Sequence, residues 1–432
     1  MWGERRVLGV GCGNSPLIPL VPFVPLVPAS LPLSPSCLLT FLTMPTVTIG
    51  FSPREQFSLA AESLQRIFEY TRIPFNLIAI DCNTPKVYWQ QMEQVLKGQS
   101  HVKVIHTDCY LMPNQAKNLV IQEAKDDFVC FIENDVLVEE GWLSRLISAC
   151  EEHPADVAIP RIIEGSLGDT RVHWDPGLGQ VRTVQTTNQV KREILPPTGD
   201  LQIDKGSHRR TLQLSGEAHC QLYRRSVFDK VIPFDEEIVY LDWIDSSLAL
   251  YNAKIPVVFE PNSVIHFWHP YPPRPHDLDY FFKRWDIQQA ANELNRIQKK
   301  WNLIGMTANL DFVIERNRIG RLYEVREKLE TLISPQESLI LVDEDTLHGS
   351  EITKDLRTIP FTERNGQYWG QPANDEMAIA ELNRLRQTGA SAIVFLWHTF
   401  WWLDHYVGFS DYLRQKFPCM LQNDCLIAFD LR

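Results

Sequence analysis

The chain has 432 residues, 44% of them hydrophobic and 22% charged, with a formal net charge of −12. That balance suits a globular chain of roughly two to three domains and excludes broad, charge-driven binding to nucleic acid or anionic membrane. The nine cysteines, an odd number with no CxxC pair, exclude a zinc-finger or disulfide framework and point to a reducing, cytoplasmic setting.

Residues 1–44 carry a Pro/Leu/Val/Ser run, "SPLIPLVPFVPLVPASLPLSPS". Its prolines remove backbone donors and interrupt any helix, so no membrane span is expected there. The segment is expected to be a disordered tail, or translated upstream sequence with the start at Met44. From Pro45 the pattern becomes regular. Strands are predicted at 46–51 ("TVTIGF"), 75–81 ("FNLIAID"), 102–107 ("VKVIHT") and 128–133 ("FVCFIE"), with helices at 56–71, 87–98 and 114–125 between them. This alternation predicts βαβ crossovers and an α/β fold whose sheet is mostly parallel, flanked by helices. Residues 165–213 form a long Gly/Pro-rich polar insert, expected to act as a lid or acceptor-binding segment, with Lys191, Arg192, Lys205, Arg209 and Arg210 as its basic residues. Residues 277–304 predict one long amphipathic helix and 315–333 a second, within a linking segment over 306–333. A smaller α/β domain is predicted over 334–432, with strands near 338–345, 391–399 and 425–431 and helices at 374–390 and 409–417.

In open α/β sheets, ligands bind at the carboxyl ends of the strands. Here those ends carry Ser52, Asp81 and the pair Glu133/Asp135 in "FVCFIENDVLVEEGWL". Unpaired carboxylates at the tip of a buried strand are costly, so something positive should meet them. No Gly-rich phosphate loop follows the first strand, where "GFSPREQ" stands. A phosphate-bearing ligand would then need a hard divalent cation, Mg²⁺ or Mn²⁺, held by the two acids.

These residues also carry a resemblance. "TVTIGFSPREQFSLAAESL", "IAIDCNTP", "NQAKNLVIQEAKDDFVCFIENDV", "GEAHCQLYRRSVFDKVIPFDEEIVYLDWIDSSLAL" and "VVFEPNSVIHFWH" follow one another over residues 45–270 in the order and spacing of the family 2 glycosyltransferases. The resemblance implies a Rossmann-like GT-A fold over 45–305, with the smaller α/β module after it. It implies metal-dependent, inverting transfer of a sugar from a nucleoside-diphosphate donor to a hydroxyl on a carbohydrate or glycoconjugate acceptor, as in polysaccharide synthesis. It brings no nucleic-acid partner and no transmembrane segment, and leaves room for peripheral membrane association.

Residue by residue, the resemblance implies that Glu133 and Asp135 stand at the metal-binding DxD position. Asp81 would meet base or ribose, with Ser52 and Asn118 on the donor. Asp242 would be the general base that takes the acceptor proton, with Asp245 as its rival. His266, or its neighbour His269, would complete the metal ligands. Trp243 and Trp268, with Tyr271, could stack on sugar rings. The sequence departs from the family pattern at Glu133, where Asp is usual, at Trp243, where a second acid is usual, and at Ala249, where Arg is common. Two other readings stay open: a sugar nucleotidyltransferase, whose Gly-rich signature is missing here, and a carbohydrate- or nucleotide-binding module with a decayed site.

Removing residues 1–43 is expected to leave folding intact, with an unchanged far-UV circular dichroism spectrum and melting temperature. An insoluble product would contradict the reading of that segment as a tail.

Overall fold

Alternation along two neighbouring strands decides which side chains reach the functional rim. β1 (Val47–Ser52) and β4 (Phe128–Glu133) are buried along their whole length. They pair in parallel, with Ser52 beside Glu133. Val47, Ile49, Phe51, Phe128, Cys130 and Ile132 face one layer of helices. Val129 and Phe131 face the other. Side chains alternate along a strand, so Glu133 follows Val129 and Phe131 onto that second face.

The structure is a computed structural model that describes residues 45–54, 56–165, 167–168, 171–174, 180–185, 190–195, 211–213, 219–231, 234–267, 274–305, 307–347, 350 and 352–432. The tail at 1–44, Trp268, His269, Tyr271, Lys205, Arg209 and Arg210 lie outside them. Pro45–Arg432 forms one compact unit.

The remaining strands of the main sheet are β2 (Asn76–Cys82), β3 (Val102–Thr107), β5 (Val136–Val138), β6 (Val157–Glu164), β7 (Arg171–Trp174), β10 (Thr211–Gln213), β11 (Cys220–Arg224) and β12 (Val257–Phe267). Between β7 and β10 the insert also forms a separate antiparallel hairpin of β8 (Gln180–Gln185) and β9 (Val190–Leu195). The main sheet runs in the order β10-β12-β6-β11-β4-β1-β2-β3, with β5 added to β12 and β7 to β6. It is mixed rather than mostly parallel. The block β4-β1-β2-β3 is parallel, as the alternating pattern predicts. β11 then enters antiparallel to both β4 and β6, although β6 and β12 are parallel to each other. Among the described residues no helix lies between β6 and β11, so the βαβ rule stops applying at the insert.

Helices α1 (Ala60–Tyr70), α2 (Lys86–Leu96) and α4 (Trp142–Glu152) cover one face through Leu64, Ile67, Met92, Leu96 and Leu146. Helices α3 (Pro113–Glu123), α5 (Asp242–Asn252) and α6 (Leu278–Arg284) cover the other through Ala116, Val120, Leu250 and Tyr280. The long helix expected at 277–304 is broken. α6 ends at Arg284, and α7 (Ile287–Trp301) begins afresh because Asp286 caps it, accepting a hydrogen bond from the Gln289 amide at 2.6 Å. An Asp that satisfies a free amide makes a helix start out of what periodicity alone reads as continuous.

Helix α8 (Thr307–Leu332) leads into the second sheet. That sheet contains β13 (Ser338–Val342), β14 (Arg357–Pro360), β17 (Ala390–Leu396), β18 (Cys419–Gln422) and β19 (Leu426–Asp430), in the order β14-β13-β17-β19-β18. A two-stranded ribbon of β15 (Glu363–Arg364) and β16 (Gln367–Tyr368) stands apart from it. α9 (Asp375–Gln387), α10 (Trp401–His405) and α11 (Val407–Lys416) pack on one face through Leu382, Trp402 and Phe409. α8 packs on the other through Leu322, Val325 and Leu329, together with Phe282 of α6. Gly320 lets α8 cross α6 closely: a Cβ there would lie 2.9 Å from the Phe281 ring. Among the described residues no helix is long and apolar enough to cross a membrane.

Gly50 is a comparable contact in the main sheet, where a Cβ would lie 2.6 Å from Val120 Cγ1 on α3. Gly50→Ala should therefore destabilise the fold by about 1–3 kcal/mol, the usual cost of overpacking. Shortening the neighbour as well, in Gly50→Ala/Val120→Ala, should recover part of that loss. Denaturant melts read both, and an unchanged midpoint for the single variant would contradict the close approach.

Candidate active site

Five elements bring charged side chains to the rim above β1 and β4. Arg54 lies two residues past the end of β1, and Glu133, Asn134 and Asp135 leave the end of β4. His219 immediately precedes β11, Lys117 is on α3, and Asp242 is the first residue of α5. All seven are buried, none more than 5% exposed.

The backbone fixes the tips first. The Asn134 amide donates to the Ser52 carbonyl at 3.0 Å, and the Glu133 amide donates to the His219 carbonyl at 3.1 Å. The Arg54 amide donates to Asn134 Oδ1 at 2.9 Å. The charges follow. Arg54 Nη1 lies 2.7 Å from Glu133 Oε1 and 3.5 Å from Asp242 Oδ2. Lys117 Nζ donates to Asp242 Oδ2 at 2.9 Å. His219 Nδ1 lies 2.6 Å from Glu133 Oε2, and its ring stacks on Phe267 with centroids 3.8 Å apart. Ligand atoms of Glu133, Asp135 and His219 all lie within 4.8 Å of one another. Two carboxylates and an imidazole are a donor set that Mn²⁺ or Mg²⁺ accepts, so these residues fit a divalent cation.

Burial alone would raise the Glu133 carboxyl, but Arg54 and His219 outweigh it and hold the group well below the usual carboxylate range. Burial also opposes ionisation of Asp242, and Lys117, Arg54 and Arg284 together reverse that, lowering it. Both acids are thus held as carboxylates. Asp242 Oδ1 has no hydrogen-bond partner among the described residues. Beneath it, Glu293 accepts hydrogen bonds from the Tyr240 amide at 2.9 Å and the Leu241 amide at 2.5 Å, fixing where α5 starts.

The expected site residues divide. Ser52, Glu133, Asp135 and Asp242 meet at this rim. Asp81 is the last residue but one of β2, two strands from β4, in phase with Leu77 and Ala79 on the opposite face of the sheet. There its Oδ2 lies 2.8 Å from His106 Nδ1, and its Oδ1 accepts from the Thr84 amide at 3.1 Å. His266 is not in the three-ligand group. It pairs with Leu137 across β5 and β12, and its Nε2 lies 2.7 Å from Glu139 Oε1. Asp245 is engaged elsewhere, accepting from Lys300 Nζ at 2.9 Å and Trp301 Nε1 at 2.6 Å. Asn118 donates to the Phe234 carbonyl at 2.9 Å and accepts from the Phe234 amide at 3.0 Å, so it clamps a loop instead of facing the rim. Trp243 packs against a cluster containing Leu248, Leu294 and Ile297.

Three members were not expected. His219 stands in the quoted segment "GEAHCQLYRR", but only the antiparallel pairing of β11 with β4 sets it beside Glu133. Arg54 follows a proline in "SPRE". Lys117 lies on the helix face that carries Asn114 and Asn118, all three buried. A polar stripe along one helix face was the available signal for Lys117.

Residues 55–232 match the sequence model of the family described as Glycosyl transferase family 2. No curated protein matches the chain significantly. Three solved structures share likeness at TM-scores below 0.5, which carries no weight for this chain's ligands. GalNAc-T7 with UDP, GalNAc and Mn²⁺ is 15% identical, with a TM-score of 0.39, over 66% of this chain and 58% of its own. The chain thus spans less than two thirds of that protein's length. TarS residues 1–349 from S. aureus with UDP-GlcNAc is 15% identical (TM-score 0.36), over 67% of this chain and 76% of its own. The mannosyltransferase PcManGT from Pyrobaculum calidifontis with GDP-Man and Mn²⁺ is 10% identical (TM-score 0.38), over 68% and 77% respectively.

Glu293 makes the site's foundation sensitive to pH. Burial pushes its carboxyl up to about 7 against an ordinary value of 4.5. An acid raised on folding gives stability that is whole below the unfolded value and is lost as pH rises through the folded one. Stability should therefore fall between pH 4.5 and about 7. Glu293→Gln, whose carbonyl still accepts from both amides, should flatten that fall. Thermal melts at pH 5 and pH 8 read the difference, and a variant that melts below the parent at the higher pH would contradict it.

Proposed function

We propose, from the match of residues 55–232 to the Glycosyl transferase family 2 model, that the chain transfers a sugar from a nucleoside-diphosphate donor to an acceptor hydroxyl, with a divalent cation and with inversion at the anomeric carbon. The observation that carries this reading is the grouping of Glu133, Asp135 and His219 within 4.8 Å, beside a buried Asp242 carboxylate. The ligand set becomes Glu133, Asp135 and His219, replacing the expected His266. When bound there, Mn²⁺ or Mg²⁺ would supply positive charge to the departing diphosphate.

The chain's own residues would do the rest. Asp242 is the general base. Lys117 occupies its Oδ2 and leaves Oδ1 for the acceptor. Oδ1 takes the hydroxyl proton as the acceptor oxygen attacks the anomeric carbon. The bond from that carbon to the diphosphate oxygen breaks, and its electron pair leaves with the diphosphate. Lys117 and Arg54 keep Asp242 ionised, so the base is ready at neutral pH. Asp81, at the next tip of the parallel block, is left to meet base or ribose. The acceptor is a carbohydrate or glycoconjugate, as polysaccharide assembly would supply, and a cytoplasmic setting suits the donor.

The pairing of Glu133 with Arg54 favours a second reading. A site whose acids are already compensated could bind nucleotide without metal and without turnover, as a decayed binding module.

Asp242→Asn should leave donor binding unchanged, by calorimetry, and lower turnover by about a hundredfold or more. Asp135→Ala should abolish Mn²⁺-dependent binding of UDP or GDP. Nucleotide binding that ignores Mn²⁺ in the parent chain, with no donor hydrolysis, would overturn transfer in favour of the binding module.

A further inference from the structure

Arg54 and Lys117 are both buried beside the rim carboxylates, with different attachments. Lys117 meets only Asp242 among the three rim carboxylates in the ion pairs described. Arg54 spans two acids, with the same nitrogen 2.7 Å from Glu133 and 3.5 Å from Asp242. Glu133 is one of the three residues that could ligate a divalent ion. Its two oxygens face Arg54 and His219. A cation arriving at Glu133 therefore competes with a guanidinium for the same carboxylate.

We propose that Arg54 is a resident counter-cation of Glu133 that yields the carboxylate to a divalent ion only when a nucleoside diphosphate arrives to receive the guanidinium. The inference rests on the transfer reading above and adds to it an exchange of partners that couples metal to nucleotide.

Charge and chemistry both support the exchange. The described ion pairs set the cations Arg54 and Lys117 against the carboxylates Glu133 and Asp242, two against two. A divalent ion alone would turn this buried cluster positive beside a fixed guanidinium. A donor diphosphate alone, esterified at both ends and carrying two negative charges, would turn it negative. Arriving together they restore the resting value, the least costly state for a buried group of charges. Arg54 is suited to the change. A guanidinium binds carboxylate and phosphate alike through a planar fork, so it can leave one and take the other without losing charge-assisted hydrogen bonds. The Arg54 amide stays anchored on Asn134 Oδ1 at 2.9 Å. The residue therefore keeps its place at the tip of β1 while its side chain turns. Lys117 stays on Asp242 and acts as the fixed cation.

Electron paramagnetic resonance of Mn²⁺ titrated into the full chain tests this without turnover. In the parent, GDP or UDP should tighten Mn²⁺ binding by about tenfold or more, within the usual range of coupling between sites. Arg54→Gln should bind Mn²⁺ alone about tenfold more tightly than the parent, and nucleotide should then add only about twofold. Arg54→Lys keeps the charge and should retain the coupling in weaker form. If Arg54→Gln fails to fold, Arg54→Lys decides the matter: coupling as strong as the parent's would overturn the role of Arg54. Equal Mn²⁺ affinity in the parent with and without nucleotide, or no gain in a folded Arg54→Gln, overturns the role of Arg54. Mn²⁺ binding to neither protein with either nucleotide is a different failure and defeats the metal-dependent reading itself.

Discussion

The structure depends on one buried arrangement of charge, in which Glu133 and Asp242 are held between Arg54, Lys117 and His219. A buried ion without a partner is strongly destabilising, and removing one member of a buried pair costs about 3–5 kcal/mol. Each partner here comes from a different element, so the cluster requires those elements to meet. β1 brings Arg54 because it lies beside β4 with Ser52 next to Glu133. β11 brings His219 because it runs antiparallel to β4. α5 brings Asp242 because Glu293 satisfies the amides that precede the helix.

Such an arrangement also shows how one rim could host both the proposed general base and the proposed leaving-group site. Asp242 is kept ionised by Lys117, which holds one oxygen and leaves the other without a partner among the described residues. Glu133 and Asp135 lie on the β4 side with His219. The proposed base and the candidate ligand Glu133 are thus distinct carboxylates that share one guanidinium. Polar groups placed in this way on strand ends and a helix start are fixed before any ligand arrives, and preorganised charge is the largest single source of rate enhancement in many enzymes.

Much of this was legible in the sequence, and what was not has a common cause. The parallel block β4-β1-β2-β3 followed from alternating strand and helix patterns, and the tips at Ser52, Asp81 and Glu133 followed from where the apolar runs stop. The demand that something positive meet Glu133 was legible as well, but not its source, because Arg54 is joined to Glu133 by strand pairing across 79 residues. His219 was missed for the same reason. β11 follows an insert that breaks the βαβ rhythm, and its antiparallel register is a tertiary fact. Asn118, Asp245 and His266 show the converse. Each has a residue type suited to the site, yet each meets another neighbour: the Phe234 loop, the Lys300–Trp301 pair and Glu139. Residue type and order find a rim; packing decides which side chains face it. The break at Asp286 is a local case, where one cap outweighs a continuous apolar period.

The second sheet, with α8 packed across it, is built on ordinary apolar layers and adds no charge to the rim among the contacts described. The account therefore stands or falls on β4. The most direct measurement is anomalous diffraction at the manganese edge from crystals grown with Mn²⁺ and a nucleoside diphosphate. The account predicts one strong peak bounded by Glu133, Asp135 and His219, with the diphosphate against it. A nucleotide bound at that rim with no manganese peak, or a peak at His266 and Glu139 instead, would contradict it.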